Sequence, residues 1–133
     1  CGKNSAPAPF LPALDREHLI ETGINIGNPQ TEELVTGVEQ LQFQFGVDTD
    51  GDNPNRSVNQ YMNADAVNTW NPALTADQNW QSVRSVRFWI LVRDDCPEAD
   101  YTDSNTYNMG DVAYTPNDHY RRALYTSTVA LRN

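Results

Sequence analysis

Residues 34–52, Leu-Val-Thr-Gly-Val-Glu-Gln-Leu-Gln-Phe-Gln-Phe-Gly-Val-Asp-Thr-Asp-Gly-Asp, run from an alternating segment directly into an acidic turn. Every second side chain of the alternating part is apolar, namely Leu41, Phe43, Phe45 and Val47. Period-two alternation is typical of a strand with one face against a core. The segment therefore predicts a strand over residues 38–47, with glutamines on its other face.

The acidic turn has the composition of a calcium site. Asp48, Asp50 and Asp52 place carboxylates at alternate positions, and calcium takes several oxygen ligands at about 2.3–2.6 Å. The turn departs from the helix-loop-helix calcium signature, because Asn53 stands at the required glycine and no Glu follows at the twelfth position.

A hairpin turn explains the same residues without a metal. Asp side chains in turns accept hydrogen bonds from their own backbone, and Gly51 can adopt positive φ. Both interpretations stay open at this point: no cofactor is required, and calcium is a candidate. A calcium titration of the melting temperature distinguishes them, because a ligand that binds the native state raises it.

Length and charge narrow the class of protein. The chain has 133 residues, which predicts a single domain over residues 1–133. Its net charge of −9 disfavours direct binding to nucleic acid, because the phosphates repel it. The longest apolar run, residues 88–92, is far shorter than the roughly 20 residues that cross a bilayer.

Several other segments have the pattern of regular structure. Alternation predicts a strand over residues 83–93 covered on both faces, with a helix over one of them. It also predicts a final strand over 120–131, a hairpin partner over 56–62 and a further strand over 16–26. A short helical turn capped by Thr31 and stopped by Gly37 is predicted, and another is predicted at 64–67. Because no crossover helices separate the strands, the sheet is predicted to be antiparallel.

The two ends of the strand pattern are loop-like. Three prolines predict an extended lead-in over residues 1–14, and residues 94–118 form a long acidic loop without periodicity. Loops of that length are uncommon unless they are functional or stapled. The two cysteines, Cys1 and Cys96, are expected to form a disulfide in an oxidising compartment.

No catalytic motif is present, and the chain is not expected to be an enzyme. Arg121 and Arg122 have two interpretations. They pair with carboxylates on neighbouring strands, or they form an interface for acidic neighbours.

Four segments together resemble the C-terminal part of the PilW family, minor pilins of type IV pilus assembly. They are Glu33-Leu34-Val35 with Gly37-Val38-Glu39; residues 41–52; Trp80 with residues 83–87 and 91–93; and Tyr120-Arg121-Arg122 with residues 128–133. The segments cover roughly the last three quarters of the chain, in order.

The resemblance implies an α+β pilin-like head, an antiparallel sheet that packs on a hydrophobic N-terminal helix absent from this sequence. It also implies partners and a place: other minor pilins and the pilus fibre, with an inner-membrane anchor through that helix, a periplasmic head and later an extracellular pilus of a Gram-negative bacterium. The implied role is to prime pilus assembly at the tip, with effects on twitching motility, adhesion and DNA uptake.

Two alternatives to this role stay open at this point. The related minor pseudopilin of type II secretion shares the fold. A secreted calcium-dependent module, directed at carbohydrate, would use the Asp48 turn and exposed tryptophans as its site.

Overall fold

A computed structural model describes residues 12–22, 25–51 and 57–132, and these form mostly antiparallel β-structure with two short helices. The strands are β1 Ala13–Thr22, β2 Asn25–Thr36, β3 Val38–Val47, β4 Gln60–Met62, β5 Val83–Arg93, β6 Tyr107–Met109, β7 Val112–Tyr114 and β8 Arg122–Ala130. The helices are α1 Ala64–Thr69 and α2 Ala76–Trp80, both between β4 and β5. The predicted fold class is confirmed.

The main sheet has four strands in the order β4-β3-β5-β8. Antiparallel β4 pairs with the end of β3, where Phe45 lies opposite Met62. β5 runs against β3, because Gly37 O accepts from Arg93 N at one end (2.8 Å) and the backbone at Asp48 bonds back to residue 82 at the other.

β8 lies at the other edge of this sheet and pairs with β5. Arg84 O accepts from Leu131 N (2.7 Å), and Arg121 O accepts from Asp94 N (2.9 Å). The start of β5 therefore meets the end of β8, and the pair is antiparallel.

The two central strands have the bounds that alternation predicts, Val38–Val47 and Val83–Arg93. The last strand and the hairpin partner are shorter than predicted, Arg122–Ala130 and Gln60–Met62. Residues 52–56, which belong to the predicted turn and the start of the predicted hairpin partner, lie outside the described residues.

The amino-terminal region is a two-stranded ribbon, β1 paired with β2. The predicted helical turn capped by Thr31 is wrong, because Thr31 and the residues after it, up to Thr36, belong to β2. Cross-strand pairing satisfies their backbone groups, and the ion pair of Arg16 with Glu32 (2.5 Å) joins opposite positions of the ribbon. The predicted strand at 16–26 is two strands, since β1 ends at Thr22 and β2 begins at Asn25. Of the predicted lead-in, residues 1–11 lie outside the described part.

A hydrophobic cluster lies where the helices meet β3 and β4. Its buried members are Val47, Met62, Val67 and Val83, with Phe45, Trp70 and Trp80 packed against them. Phe45 and Trp80 meet edge to face at 4.8 Å between ring centroids. Trp70 and Trp80 therefore attach the 63–82 segment to this cluster.

The helices of this segment were only half predicted. The helical turn at 64–67 is part of α1, but α2 was missed. Its signal is in the sequence: Thr75 accepts from Gln78 N, and the Gln78 side chain accepts from Thr75 N, which is a capping box.

The sequence predicted a loop without regular structure over residues 94–118. The structure shows regular elements in this segment. The segment contains the β6–β7 hairpin, in which Tyr107 lies opposite Tyr114 and Gly110 turns the chain with φ of 68°. An isolated bridge joins Asp103 to Asp118 at the base of the segment. Strands of three residues are too short to show alternation, so the sequence contains no periodic signal for them.

Contacts divide the chain into two compact units. In the described part, the first contains β1, β2 and residues 37–40, 90–106 and 115–124, and the second contains the helices, β4, β6, β7 and the other parts of the long strands. The single domain over residues 1–133 stays a prediction.

Candidate interaction surface

The guanidinium of Arg122 is fully buried and lies among three carboxylates. It makes two-pronged contacts to Glu39 (2.5 and 2.9 Å) and to Asp118 (2.6 and 2.7 Å). A third carboxylate, that of the buried Asp103, accepts from Nη1 at 3.4 Å. We call these four residues the Arg122 network.

The Arg122 network joins the loop to the strands. Glu39 is on β3, Arg122 begins β8, and Asp103 and Asp118 are the bridged pair at the base of the 94–118 segment. Arg93 of β5 lies 3.6 Å from Glu39 and stacks on Tyr120 at 4.3 Å. A buried charge needs such a complete set of partners, because desolvation is otherwise too costly.

Sequence reasoning missed this network. Arg122 and Glu39 are 83 residues apart, and no local pattern pairs two residues at that separation. One interpretation of the sequence, that arginines of the last strands pair with carboxylates, describes what Arg122 does. Its buried guanidinium has no surface to present to a neighbour, so an interface role would act only through the loop that it holds.

The network makes stability depend on acidity. Hydrogen bonds from Arg122 lower the pKa of Asp118 to about 2, whereas an Asp in an unfolded chain titrates near 3.9. A carboxyl with a lowered folded-state pKa contributes stability above its unfolded pKa, and that contribution is lost as the pH falls toward 2.

We therefore expect the melting temperature of the chain to fall between about pH 4 and pH 2, and to fall less steeply in Asp118→Asn. The asparagine cannot ionise, so it has no charge interaction to lose in that window. Thermal unfolding at pH 5, 4, 3 and 2 measures the difference. Equal slopes in the two proteins would contradict the assignment.

Next to the network, Arg121 points outward. Its side chain is 55% exposed and forms a two-pronged pair with Glu98 (2.6 and 2.9 Å). It also stacks on Tyr101 at 4.3 Å, and Tyr101 O accepts from His119 Nδ1 at 2.5 Å. Hydrogen bonding to Arg121 lowers the pKa of Glu98. The interface role of Arg121 stays a prediction.

A second surface is apolar and lies on one face of the main sheet. Phe43 of β3 is 47% exposed and contacts Phe88 of β5, with ring centroids 6.3 Å apart. On β8, Tyr125 and Val129 are 60% and 50% exposed. We call these four residues the apolar face.

Alternation shows that the four residues share a face. Arg87 Nε donates to Thr128 Oγ1 and its guanidinium lies over the Tyr61 ring, so these side chains share the opposite face. Phe88 follows Arg87, and Val129 follows Thr128, so each points the other way.

This arrangement corrects the prediction for β3. Phe43 was expected against a core, but it is half exposed, whereas Val47 is fully buried. The glutamine face is not fully solvated either. Gln44 donates to Asn63 Oδ1 at 3.3 Å, and a Cβ on Gly110 would lie only 3.0 Å from Gln44 Cδ. The β6–β7 hairpin tip therefore lies on the polar side of β3, which no local pattern shows.

β5 is covered less evenly than predicted. Val83, Ser85, Trp89 and Leu91 are buried, and the residues between them are only half-buried. In the described part of the chain, α1 and α2 are the only helices, and they pack on the cluster around Val47. The predicted helix over one face of β5 is therefore not found among these residues.

The acidic turn is described only in part. Asp48 is buried, its Oδ1 accepts from Gly51 N at 3.0 Å, and Arg84 Nε lies 3.8 Å from its Oδ2. Gly51 has φ of 64°, as a tight turn requires. Asp52 lies outside the described residues, and within them no group of three or more potential ligand side chains is arranged around a metal position. Calcium binding by Asp48, Asp50 and Asp52 stays a prediction.

Only one cysteine of the predicted disulfide belongs to the described residues. Cys96 is half-buried at the start of the 94–118 segment, but Cys1 lies outside the described residues. Their disulfide stays a prediction. In the portion that the structure describes, no helix has the length and apolar character of a membrane span.

Comparison with known protein families gives a match over most of the chain. The family described as type IV pilus-assembly protein W matches residues 3–133. The chain matches no curated protein and no solved structure.

Proposed function

Because the chain belongs to the PilW family of type IV pilus-assembly proteins, we propose that it is the head of a minor pilin that joins other minor pilins at the pilus tip. The chain would prime assembly of the fibre. Its role is binding and not catalysis. Twitching motility, adhesion and DNA uptake would be effects of the assembled pilus. A role of this chain in binding DNA directly is disfavoured by its net charge of −9.

The apolar face is the observation that supports this proposal. Contiguous exposed apolar patches on soluble proteins mark interaction sites. Phe43 and Phe88 are in contact, and Tyr125 and Val129 continue the same face onto β8. We propose that a hydrophobic amino-terminal helix packs here, anchoring the head at the periplasmic side of the inner membrane before the pilus extends outside the cell.

The Arg122 network supports the proposal that the chain joins other minor pilins. It holds the 94–118 segment, about 25 residues long, against the strands. Structureless loops are usually shorter than this. A loop with a fixed conformation loses less entropy on binding than a mobile one. The 94–118 segment and the exposed Arg121 beside it would then be preformed contacts for neighbouring pilins.

Phe43→Lys tests the apolar face in the full-length protein in its own cells. We expect the number of surface pili to fall at least tenfold, because a lysine on this face cannot be desolvated beneath an apolar helix. Sheared pili are measured by quantitative immunoblot, and twitching is scored on the same strains.

Leu74→Lys is the matched control. Leu74 is an exposed apolar residue of the segment between α1 and α2, 38% exposed against 47% for Phe43. Both variants add the same charge to the surface. Equal piliation in the two strains, with equal amounts of folded protein, would contradict a role for the apolar face.

A further inference from the structure

Among the residues that the structure describes, β8 is an edge strand of the main sheet. In the four-stranded sheet it is terminal, and among the strands that the structure describes it pairs only with β5. Residues 123–131 contain no charged residue and no proline. Natural proteins usually blunt a long edge strand with charges, prolines or bulges, because its free backbone groups pair with other chains.

The register with β5 shows which backbone groups of β8 point away from β5. Leu131 N donates to Arg84 O, and Thr128 lies opposite Arg87, so both contacts belong to one antiparallel register. Along a strand, successive residues direct their backbone groups to alternate sides. Leu131 bonds toward β5, so Thr126, Thr128 and residue 130 direct theirs outward.

We propose that a second copy of this chain pairs with this edge, β8 against β8, antiparallel, with the two-fold axis through Ser127. In this register Thr126 of one copy lies opposite Thr128 of the other. Both have outward-directed backbone groups, so each such pair exchanges two hydrogen bonds. The proposal is independent of the proposed role in pilus assembly.

The side chains of β8 are self-complementary in that register. Tyr125 lies opposite Val129 of the second copy, at the non-hydrogen-bonded positions where side chains approach most closely. Aromatic residues opposite β-branched ones stabilise antiparallel pairs. Both residues are at least half exposed in the single chain and both belong to the apolar face, which would become continuous across the two copies.

Charge favours this edge over the rest of the surface. Two copies with a net charge of −9 each repel one another at most approaches. Residues 123–131 are uncharged, so this edge can approach its equivalent without placing carboxylates opposite each other. The edge at β4 is only three residues long, Gln60–Met62, and offers few hydrogen bonds.

Cysteine crosslinking tests the register. In the proposed dimer the two Ser127 residues face each other across the axis, at a separation of about 4.5 Å between Cα atoms, which suits a disulfide. Tyr125 is on the same face, but Tyr125 of one copy lies opposite Val129 of the other. The two Tyr125 residues would therefore be four positions apart along the strand, which is about 13 Å.

Under oxidised glutathione, which takes the electrons of the two thiols, we expect Ser127→Cys to give at least tenfold more disulfide-linked dimer than Tyr125→Cys. The unsubstituted chain sets the background from Cys1 and Cys96. Equal crosslinking of the two variants, or none above background, would overturn the proposal.

Sedimentation equilibrium gives a second measurement that needs no cysteine. Thr126→Pro removes an outward N–H and leaves the β5 ladder intact, because prolines are tolerated at sheet edges. We expect it to weaken dimerisation at least tenfold, and Thr126→Val, which keeps the N–H, to leave it within about threefold. Melting curves show whether both variants fold. A folded Thr126→Pro chain that dimerises like the unsubstituted one would also overturn the proposal.

Discussion

Replacing Arg122 with alanine is expected to lower the free energy of unfolding by about 3–5 kcal/mol. The guanidinium is fully buried, and its removal leaves the carboxylates of Glu39, Asp103 and Asp118 close together without the cation that joins them, although Arg93 still lies 3.6 Å from Glu39. A buried charge that loses its partner keeps the whole cost of desolvation. Urea unfolding followed by tryptophan fluorescence measures the change.

Arg121→Ala is the control for that experiment. It deletes the same side chain one residue earlier, but this side chain is 55% exposed and its ion pair with Glu98 is at the surface. Exposed ion pairs contribute little to stability, so the unfolding midpoint should hardly move. If the two alanine variants lose similar stability, the Arg122 network is not the main interaction that holds the 94–118 segment against the strands.

Met109→Ala is expected to cost about 2–5 kcal/mol, the range for a large buried side chain cut back to alanine. Met109 is fully buried although it belongs to a hairpin strand of only three residues. Its side chain therefore attaches the β6–β7 hairpin to the rest of its unit, and the loss leaves a cavity where it lay. Thermal and urea unfolding should both report the change.

Asn108→Ala provides the comparison within the same strand. Asn108 is exposed, next to Met109, and surface substitutions of this kind usually change stability by less than about 0.5 kcal/mol. A Met109→Ala chain as stable as Asn108→Ala would show that the hairpin is not packed as described. Limited proteolysis in the 94–118 segment would then separate a loosened hairpin from one that was never docked.

The Arg122 and Met109 variants bear on function as well as on folding. Both residues hold parts of the 94–118 segment, one through charge and the other through apolar packing. If the segment is a preformed surface for neighbouring pilins, either variant should reduce pilus assembly more than Arg121→Ala does. The comparison is made at equal amounts of folded protein.

Local pattern was sufficient for the long central strands. β3 and β5 have the predicted bounds because alternation over ten or more residues is a strong local signal. The same strands contribute much of the resemblance to the PilW family, whose match over residues 3–133 confirms it. α2 had a local signal too, the capping box at Thr75, which is readable in the sequence.

Other predictions failed because a distant partner decided the structure. Residues 31–35 have the cap and acidic first turn of a helix, but pairing with β1 makes them a strand. Phe43 and Val47 look equivalent in the alternating pattern, yet Val47 is buried by the helices and Phe43 remains half exposed. Burial depends on what packs above a strand, and alternation reports only which side a residue faces.

The amino-acid pattern alone was enough to predict the antiparallel sheet, the two long strands and the family, since these depend on short-range periodicity and on ordered motifs. Tertiary structure alone decided that Arg122 is buried in ion pairs and that Arg121 is a surface residue, although they are neighbours in the chain. It also decided that the apolar face is exposed and that β8 is an edge. The physical reason is that desolvation and pairing depend on groups brought together from as far as 83 residues apart, and no local signal encodes them.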